Sequence, residues 1–356
     1  MAETATTAPA ITSGAPRGAA LREALSKYGL IVVLLVMPVI YGLSDLRNDG
    51  NLVNLGNNVV DGLSNGAIYA LIALGYTLVY GIIELINFAH GEVFMIGSFV
   101  AFGLWGTLGL GLTTSVFGLV GGLLVTLVVT MVVCGLLNVM IERVAYRPLR
   151  NAPKLAPLIT AIGMSFILQN VGILWLGSSS RSVPDLVRSQ NELINLFGLS
   201  ISRGDLLAIA VTAPLVFLLT SFIARSRLGK AMRATAQDPD AARLMGINVD
   251  TTISLTFLLG GLLAGAAGLI NLLYQTTVWY FQGFTAGLIA FTAAVMGGIG
   301  NLRGAVLGGL IIGCIQQIAE FRIGAQWTSA VVFAYLILIM VFRPQGLIGE
   351  QTREAG

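Results

Sequence analysis

Asn87, His90 and Glu92 fall within six positions of the run Ile86-Asn87-Phe88-Ala89-His90-Gly91-Glu92-Val93-Phe94-Met95-Ile96-Gly97-Ser98, and no other stretch is better equipped for chemistry. His90 is the only histidine among 356 residues. An imidazole near a carboxylate suggests acid–base catalysis or a metal, and both readings fail for lack of partners. The H-E-x-x-H spacing is absent, and one histidine cannot complete a usual zinc set. Ser98 and Ser165 have no second histidine with which to build triads. No catalytic residue and no metal site is therefore expected. Three readings stay open. Glu92 can be the N-terminal acid of a helix at a membrane boundary, where it suits the helix dipole. Asn87, His90, Gly91 and Glu92 can form part of a gate. Or Asn87 and His90 can touch a transported substrate, which requires them to lie deeper than a boundary turn.

The elements that must position this cluster are apolar. It sits between the runs Ala67–Ile83 and Val93–Gly111 in a chain that is 56% hydrophobic and only 10% charged. Soluble domains carry roughly 25% charged residues. Several continuous apolar runs reach the ~17–25 residues that cross a bilayer as helix, and they do not alternate as barrel strands do. The expected fold class is an all-α polytopic membrane protein, a bundle of 8–10 transmembrane helices. Glycine, 44 residues, is abundant enough to let helices pack closely. The pairs Gly118/Gly122, Gly261/Gly265, Gly304/Gly308 and Gly309/Gly313 each put two glycines about one turn apart on a face. Cys134 and Cys314 lie inside apolar runs and read as small core residues.

In order, residues 1–27 read as a flexible cytoplasmic tail, and Tyr28–Leu43 as a retained first helix, since no A-x-A-like cleavage site follows it. Further spans are expected at Val59–Ile83, Val93–Gly111, Ser115–Met140, Ala156–Leu176, Asp205–Ala224 and Thr252–Tyr274. Phe284–Met296 is shorter and ends in Gly297, Gly298, Gly300 and Asn301, the pattern of a short or broken helix near Gly297. Ala305–Ile318 and Thr328–Phe342 complete the transmembrane domain, residues 28–345, ahead of a cytoplasmic tail at 346–356. With the N-terminus inside, fifteen of the 20 Lys and Arg residues fall on the cytoplasmic side, which obeys the positive-inside rule and puts both termini in the cytoplasm.

Two basic cytoplasmic loops result, 141–155 and 225–251. In the second, Asp238 is placed to cap a helix whose first residue is Pro239, and Gly246 to end it. Ala241, Ala242, Leu244 and Met245 are expected on one side of that helix. It suits docking to a partner protein, and a basic topology anchor is the plainer alternative. The only Gly-Lys pair, Gly229-Lys230, is followed by Ala231, so the phosphate-cradling G-K-[ST] pattern is missing. Any ATP that drives transport must be used by another chain.

The run Gly75-Tyr76-Thr77-Leu78-Val79-Tyr80-Gly81-Ile82-Ile83-Glu84-Leu85-Ile86-Asn87-Phe88-Ala89-His90-Gly91-Glu92 resembles the signature of branched-chain amino acid ABC importer permeases, most closely the LivH-type subunit. Ile141–Arg150, Ala161–Ser165 and Phe291–Gly300 match that group as well. The resemblance runs from about Asn58 to Gly349. It implies the membrane-spanning subunit of an ATP-driven importer for branched-chain or hydrophobic amino acids, in a bacterial inner membrane. It also implies partners: a second, homologous permease, two ABC ATPase subunits and a periplasmic or lipid-anchored binding protein. No cofactor is expected on this chain. Arg233, Asp238, Pro239, Ala241, Ala242, Leu244, Met245 and Gly246 match the family's ATPase-contact loop. Asn87–Glu92 and Gly297–Asn301 are the implied gate and pathway segments. A permease for urea or short amides shares parts of the pattern, and a self-sufficient secondary transporter is the alternative from outside the family.

Overall fold

The computed structural model describes residues 17–48, 50–112, 114–150, 152–153, 155–187, 191–196, 198–343 and 345–349. Twelve α-helices account for nearly all of the regular structure among them. In chain order they are α1 (Arg17–Asn48), α2 (Val53–Ile83), α3 (His90–Thr107), α4 (Val116–Ile141), α5 (Leu155–Leu176), α6 (Arg203–Arg225), α7 (Arg227–Gln237), α8 (Pro239–Leu244), α9 (Val249–Gln275), α10 (Gln282–Gly297), α11 (Leu302–Arg322) and α12 (Thr328–Phe342). Among the described residues, seven spans are long and apolar enough to cross a membrane by length and composition: α2, α4, α5, α6, α9, α11 and α12, the last counted from Ala325. The expectation of an all-α polytopic bundle holds. The first helix, however, starts at Arg17 rather than Tyr28, so the part of the expected tail that is described is helical. Residues 1–16 and 350–356 lie outside the described residues.

Small strands decorate one end. β1 (Arg181–Ser182) pairs antiparallel with β4 (Thr277–Val278), Arg181 opposite Val278. β2 (Glu192–Leu196) and β3 (Leu199–Ser202) form a hairpin, with Ile194 opposite Ile201. Asp61, Glu192, Asp205 and Glu320 line a cavity at this acidic end. The opposite, basic end carries the loop after α4 and the helices α7 and α8.

The chain folds as two runs of the same pattern. In the first, the long α2 ends at Glu84, a short non-helical segment follows, and α3, α4 and α5 complete the run. In the second, the long α9 ends at Thr276, and α10, α11 and α12 follow. Glu84 (φ 51°) and Thr276 (φ 55°) are the two non-glycine residues with positive φ among those described. Each is the left-handed cap of its long helix, and each stands six positions before the next helix begins. The two runs exchange partners: α2 packs on α11, and α9 packs on α4. The two long helices run antiparallel, since Gly75 of α2 meets Gly260 of α9 while Asn65 Oδ1, further back on α2, accepts from Gln275 Nε2, further on along α9.

Glycine makes these crossings possible. A Cβ on Gly313 would lie 2.4 Å from the Gly66 backbone, and one on Gly309 would lie 2.6 Å from Ala70 Cα. At the other crossing, a Cβ on Gly261 would be 2.5 Å from the Cys134 carbonyl oxygen and one on Gly265 2.4 Å from that of Thr130. Gly304 and Gly308 seat α11 against α10 in the same manner. Gly118 and Gly122 do not belong to this set: they face the Leu110, Thr114 and Ser115 segment that precedes their own helix. In an apolar solvent, backbone approach of this kind replaces the hydrophobic effect as the source of helix association.

Helix starts divide into two classes. Ser115 caps α4, Ser202 and Asp205 form a reciprocal capping box on α6, and Asn248 and Asn301 cap α9 and α11. These side chains satisfy N–H groups that have no partner inside the helix. α2 and α12 start without a side-chain cap, and so do α3 and α10. The last two begin inside the bundle, at the site.

A candidate substrate gate where two half-helices meet

Ile83 ends α2, and the segment from Glu84 to Ala89 turns back into the bundle before α3 begins. His90 consequently sits beside Gly75: a Cβ there would lie 2.2 Å from His90 Nε2. Gly75 is eight residues, about 12 Å, from the end of α2. Thr276 to Phe281 makes the matching re-entry, and α10 starts at Gln282. The first turns of the two short helices touch. A Cβ on Gly91 would lie 2.4 Å from the Gly283 carbonyl oxygen, and one on Gly283 would lie 2.7 Å from that of Gly91.

This geometry corrects one expectation. Asn87, His90 and Glu92 do not form a turn at a membrane boundary. Asn87 is 2% exposed, and His90 and Glu92 are fully buried. A carboxylate at such a depth is costly unless donors surround it. Glu92 Oε1 accepts hydrogen bonds from Ser165 Oγ (3.1 Å) and Gln169 Nε2 (2.8 Å), both on α5. Glu92 Oε2 has no hydrogen-bond partner among the described residues, and it faces Gly283, where a Cβ would come within 2.4 Å of it. His90 packs edge-on against the Tyr76 ring, centroids 5.0 Å apart.

Asn87 belongs to a second set of bonds. Its amide donates to Asn138 Oδ1 (3.2 Å), and Asn138 donates to the Phe257 carbonyl at 2.6 Å. Tyr146 donates to Asn87 Oδ1 and to the Ile86 carbonyl, each at 3.2 Å. The re-entrant segment is thus fastened to α4, α9 and the loop after α4. That loop begins as one π-helical turn, Glu142–Tyr146, followed by a 3-10 turn, Arg147–Leu149. Fully buried Glu142 pairs with Arg150, which also binds Asp250 at 2.5 Å, while Ser254 donates to Glu142 Oε2 at 2.7 Å. Asn138 was not singled out from the sequence. A lone amide within the apolar run of α4 was its only signal.

Beside Glu92, α5 and α10 enclose a small cavity of about 40 Å³ lined by Tyr76, Phe88, Ser165, Phe166 and Phe284. Among the described residues no group of three or more His, Cys, Asp or Glu side chains lies close enough together to hold a metal.

Gly297, Gly298, Gly300 and Asn301 stand elsewhere. α10 is short, as expected, but its break lies at Thr276–Phe281, and Gly297 is its far terminus. From Gly283 to Gly297 the helix rises about 21 Å, toward the basic end. Gly298 (φ 107°) and Gly300 (φ 93°) make the turn into α11, which Asn301 Oδ1 caps. Leu347 N and Ile348 N donate to the Met296 and Gly297 carbonyls at 2.8 and 3.0 Å, and Asn301 Nδ2 donates to the Ile348 carbonyl at 2.9 Å. These residues clamp the segment after α12 and do not share the buried site.

Of the loop residues, Asp238 Oδ1 accepts from Asp240 N (2.9 Å) and Ala241 N (3.0 Å), Pro239 is the first residue of α8, and Gly246 (φ 81°) ends the turn. Leu244 and Met245 are 89% and 82% exposed. Ala242 is instead buried, so the four apolar residues do not share one face, because the helix has a single turn and a half. Arg233 is exposed and folds back onto the end of α6, donating to the Ile223 carbonyl at 2.9 Å.

A family model described as branched-chain amino acid transport system / permease component matches residues 58–341. The high-affinity branched-chain amino acid transport system permease protein BraD of Pseudomonas aeruginosa is 43% identical over 304 residues, 83% of this chain and 96% of that protein. LivH of Escherichia coli K12, of the same description, is 43% identical over 83% of this chain and 95% of its own length. A probable branched-chain amino acid transport permease, LivH of Methanocaldococcus jannaschii, is 27% identical over 85% and 96%. By a match that spans the bundle from α2 to α12, this chain belongs to the family of branched-chain amino acid transport system permease components.

Proposed function

We propose that this chain is the membrane-spanning permease subunit of an ATP-driven importer of branched-chain amino acids, working in a bacterial inner membrane. The observation that carries the reading is the extent of the likeness to BraD and LivH, 43% identity over almost the whole length of those proteins. The basic end of the bundle is the cytoplasmic end, with both termini on that side, and the acidic end faces outward. The chain holds no cofactor. It lacks a G-K-[ST] phosphate loop, and ATP is consumed by two partner ATPases. A homologous second permease completes the pathway, and a binding protein delivers the amino acid.

The α8 turn, Asp238 to Gly246, is the docking element for the ATPase. Exposed Leu244 and Met245 support this, since two large apolar side chains at the tip of a basic loop otherwise face water. The re-entrant segment Asn87–Glu92 is the gate. Its bonds to Asn138 and Tyr146 on one side and to Ser165 and Gln169 on the other let movement at the basic end reach Glu92 through packed groups. The meeting of Gly91 and Gly283 is the fulcrum of that movement.

Deletion of the gene and complementation with the intact chain tests the reading. Uptake of radiolabelled leucine, isoleucine and valine is expected to fall in the deletion and return with complementation. Unchanged leucine uptake beside lost uptake of urea or a sugar would overturn it.

A further inference from the structure

α10 presents two faces. Gly283 and Gly287 pack against α3, while Gln282, Thr285, Ala286 and Ile289, at helical spacing, line a cavity that opens at the acidic end. This cavity, about 280 Å³, is separate from the one beside Glu92 and has polar and aromatic walls that include Trp279, Gln316 and Glu320. That is just under the ~300–1,000 Å³ of drug-sized sites and enough for a molecule the size of an amino acid.

Two groups in its wall are unsatisfied and opposite in character. Gln282 is 6% exposed, and its Oε1 accepts from Trp279 N at 3.3 Å. That bond fixes the amide orientation and leaves Nε2 as a buried donor with no partner. Gln316 uses its amide on the Tyr69 hydroxyl, which leaves Oε1 as a buried acceptor with no partner. An unpaired buried donor or acceptor costs about 1–3 kcal/mol, so a polar group entering the cavity gains by completing each. The donor lies on the first turn of a 16-residue helix, where the dipole favours an anion. The acceptor lies one turn from the Glu320 carboxylate, which favours a cation. Tyr69, Phe94 and Ile289 supply apolar wall between them. The matching position at the start of α3 is His90, packed against Gly75 and Tyr76, so the two halves of the bundle differ here.

We propose that this cavity is an entry site for a zwitterionic α-amino acid with an apolar side chain. Gln282 and the first turn of α10 take the carboxylate, Gln316 and Glu320 take the ammonium, and the side chain lies against Phe94 and Ile289. The proposal rests on the importer reading above and adds a substrate site within this subunit, on the outer side of the gate.

The test uses Thr285→Cys in cells that make the whole transporter, labelled by a membrane-impermeant maleimide added outside, with the wild-type chain as background. Leucine is expected to slow labelling at position 285 about tenfold. Isopentylamine, which lacks the carboxylate, and 4-methylpentanoate, which lacks the ammonium, are expected to leave the rate unchanged at the same concentration. Adding Gln282→Glu, which replaces the donor by an acceptor of the same shape, is expected to abolish protection, and Gln316→Ala to weaken it. No labelling from outside, labelling that leucine does not slow, or equal slowing by the amine would overturn the site. Absence of leucine uptake by the wild-type transporter would instead overturn the importer reading. The labelling experiment would then be run with a panel of other α-amino acids, where protection by any of them supports the site and protection by none overturns it.

Discussion

Replacing Gly91 by Ala adds one methyl group where α3 and α10 meet. That methyl carbon would lie 2.4 Å from the Gly283 carbonyl oxygen and 2.8 Å from Gly287 Cα. Ordinary contact begins near 3.4 Å, so the helices must part by about 1 Å, and both obstacles are backbone rather than pliable side chain. Overpacking of this kind costs about 1–3 kcal/mol. At roughly 2–4 °C per kcal/mol for a chain of 150–250 residues, and less for a longer one, the thermal midpoint should fall by a few degrees, at most about 12 °C. Gly283→Ala should act alike, since its methyl carbon would meet Glu92 Oε2 at 2.4 Å. Gly103, also on α3, has nothing within 4 Å of its would-be Cβ, and Ala there should keep or raise the midpoint. Heating the detergent-solubilised protein and measuring the monodisperse fraction reads all three. If Gly91→Ala melts with the wild type while transport is intact, the two half-helices do not meet as described.

Other perturbations separate buried from exposed chemistry. Glu92→Gln should cut leucine uptake about tenfold, equivalent to ~1.4 kcal/mol, the scale of a charge-assisted hydrogen bond. Glu84→Gln, at an exposed helix cap, should leave uptake within about twofold, and equal losses would return Glu92 to a passive role. Arg150→Ala strands the fully buried Glu142 carboxylate and should destabilise by about 3–5 kcal/mol. Arg243→Ala breaks an exposed pair with Asp240 and should cost at most about 1 kcal/mol; thermal midpoints compare the two. Gly246→Val forces a β-branched residue to φ 81° at the end of α8 and should lower ATPase co-purification while the chain still inserts. Full recovery of the ATPase with that variant would exclude α8 as the docking element.

The sequence disclosed the bundle because transmembrane helices announce themselves by composition alone. The glycine pairs disclosed their role too: Gly261/Gly265, Gly304/Gly308 and Gly309/Gly313 all seat helices. Depth was not legible. Hydropathy marks which residues are apolar, and a segment such as Glu84 to Ala89 reads the same whether it rests at a boundary or folds back inside. The signal of the fold-back is a left-handed cap at Glu84 and again at Thr276, and neither residue type advertises that conformation. The break in the second half was expected at Gly297–Asn301 because glycine is the usual breaker. It occurs in Thr276–Phe281, a stretch of Thr, Val and aromatic residues stabilised by pairing of β4 with β1. Asn138, Gln282 and Gln316 were visible as amides within apolar spans, but which way they face depends on neighbours far away in sequence.

Reconstitution tests the importer reading most directly. Proteoliposomes holding this chain alone, and others holding it with the second permease, the ATPases and the binding protein, are assayed for leucine uptake with ATP or with an imposed ion gradient. Uptake that needs all the partners and ATP is predicted, with none from the chain alone. Uptake driven by an ion gradient through the chain alone would contradict it.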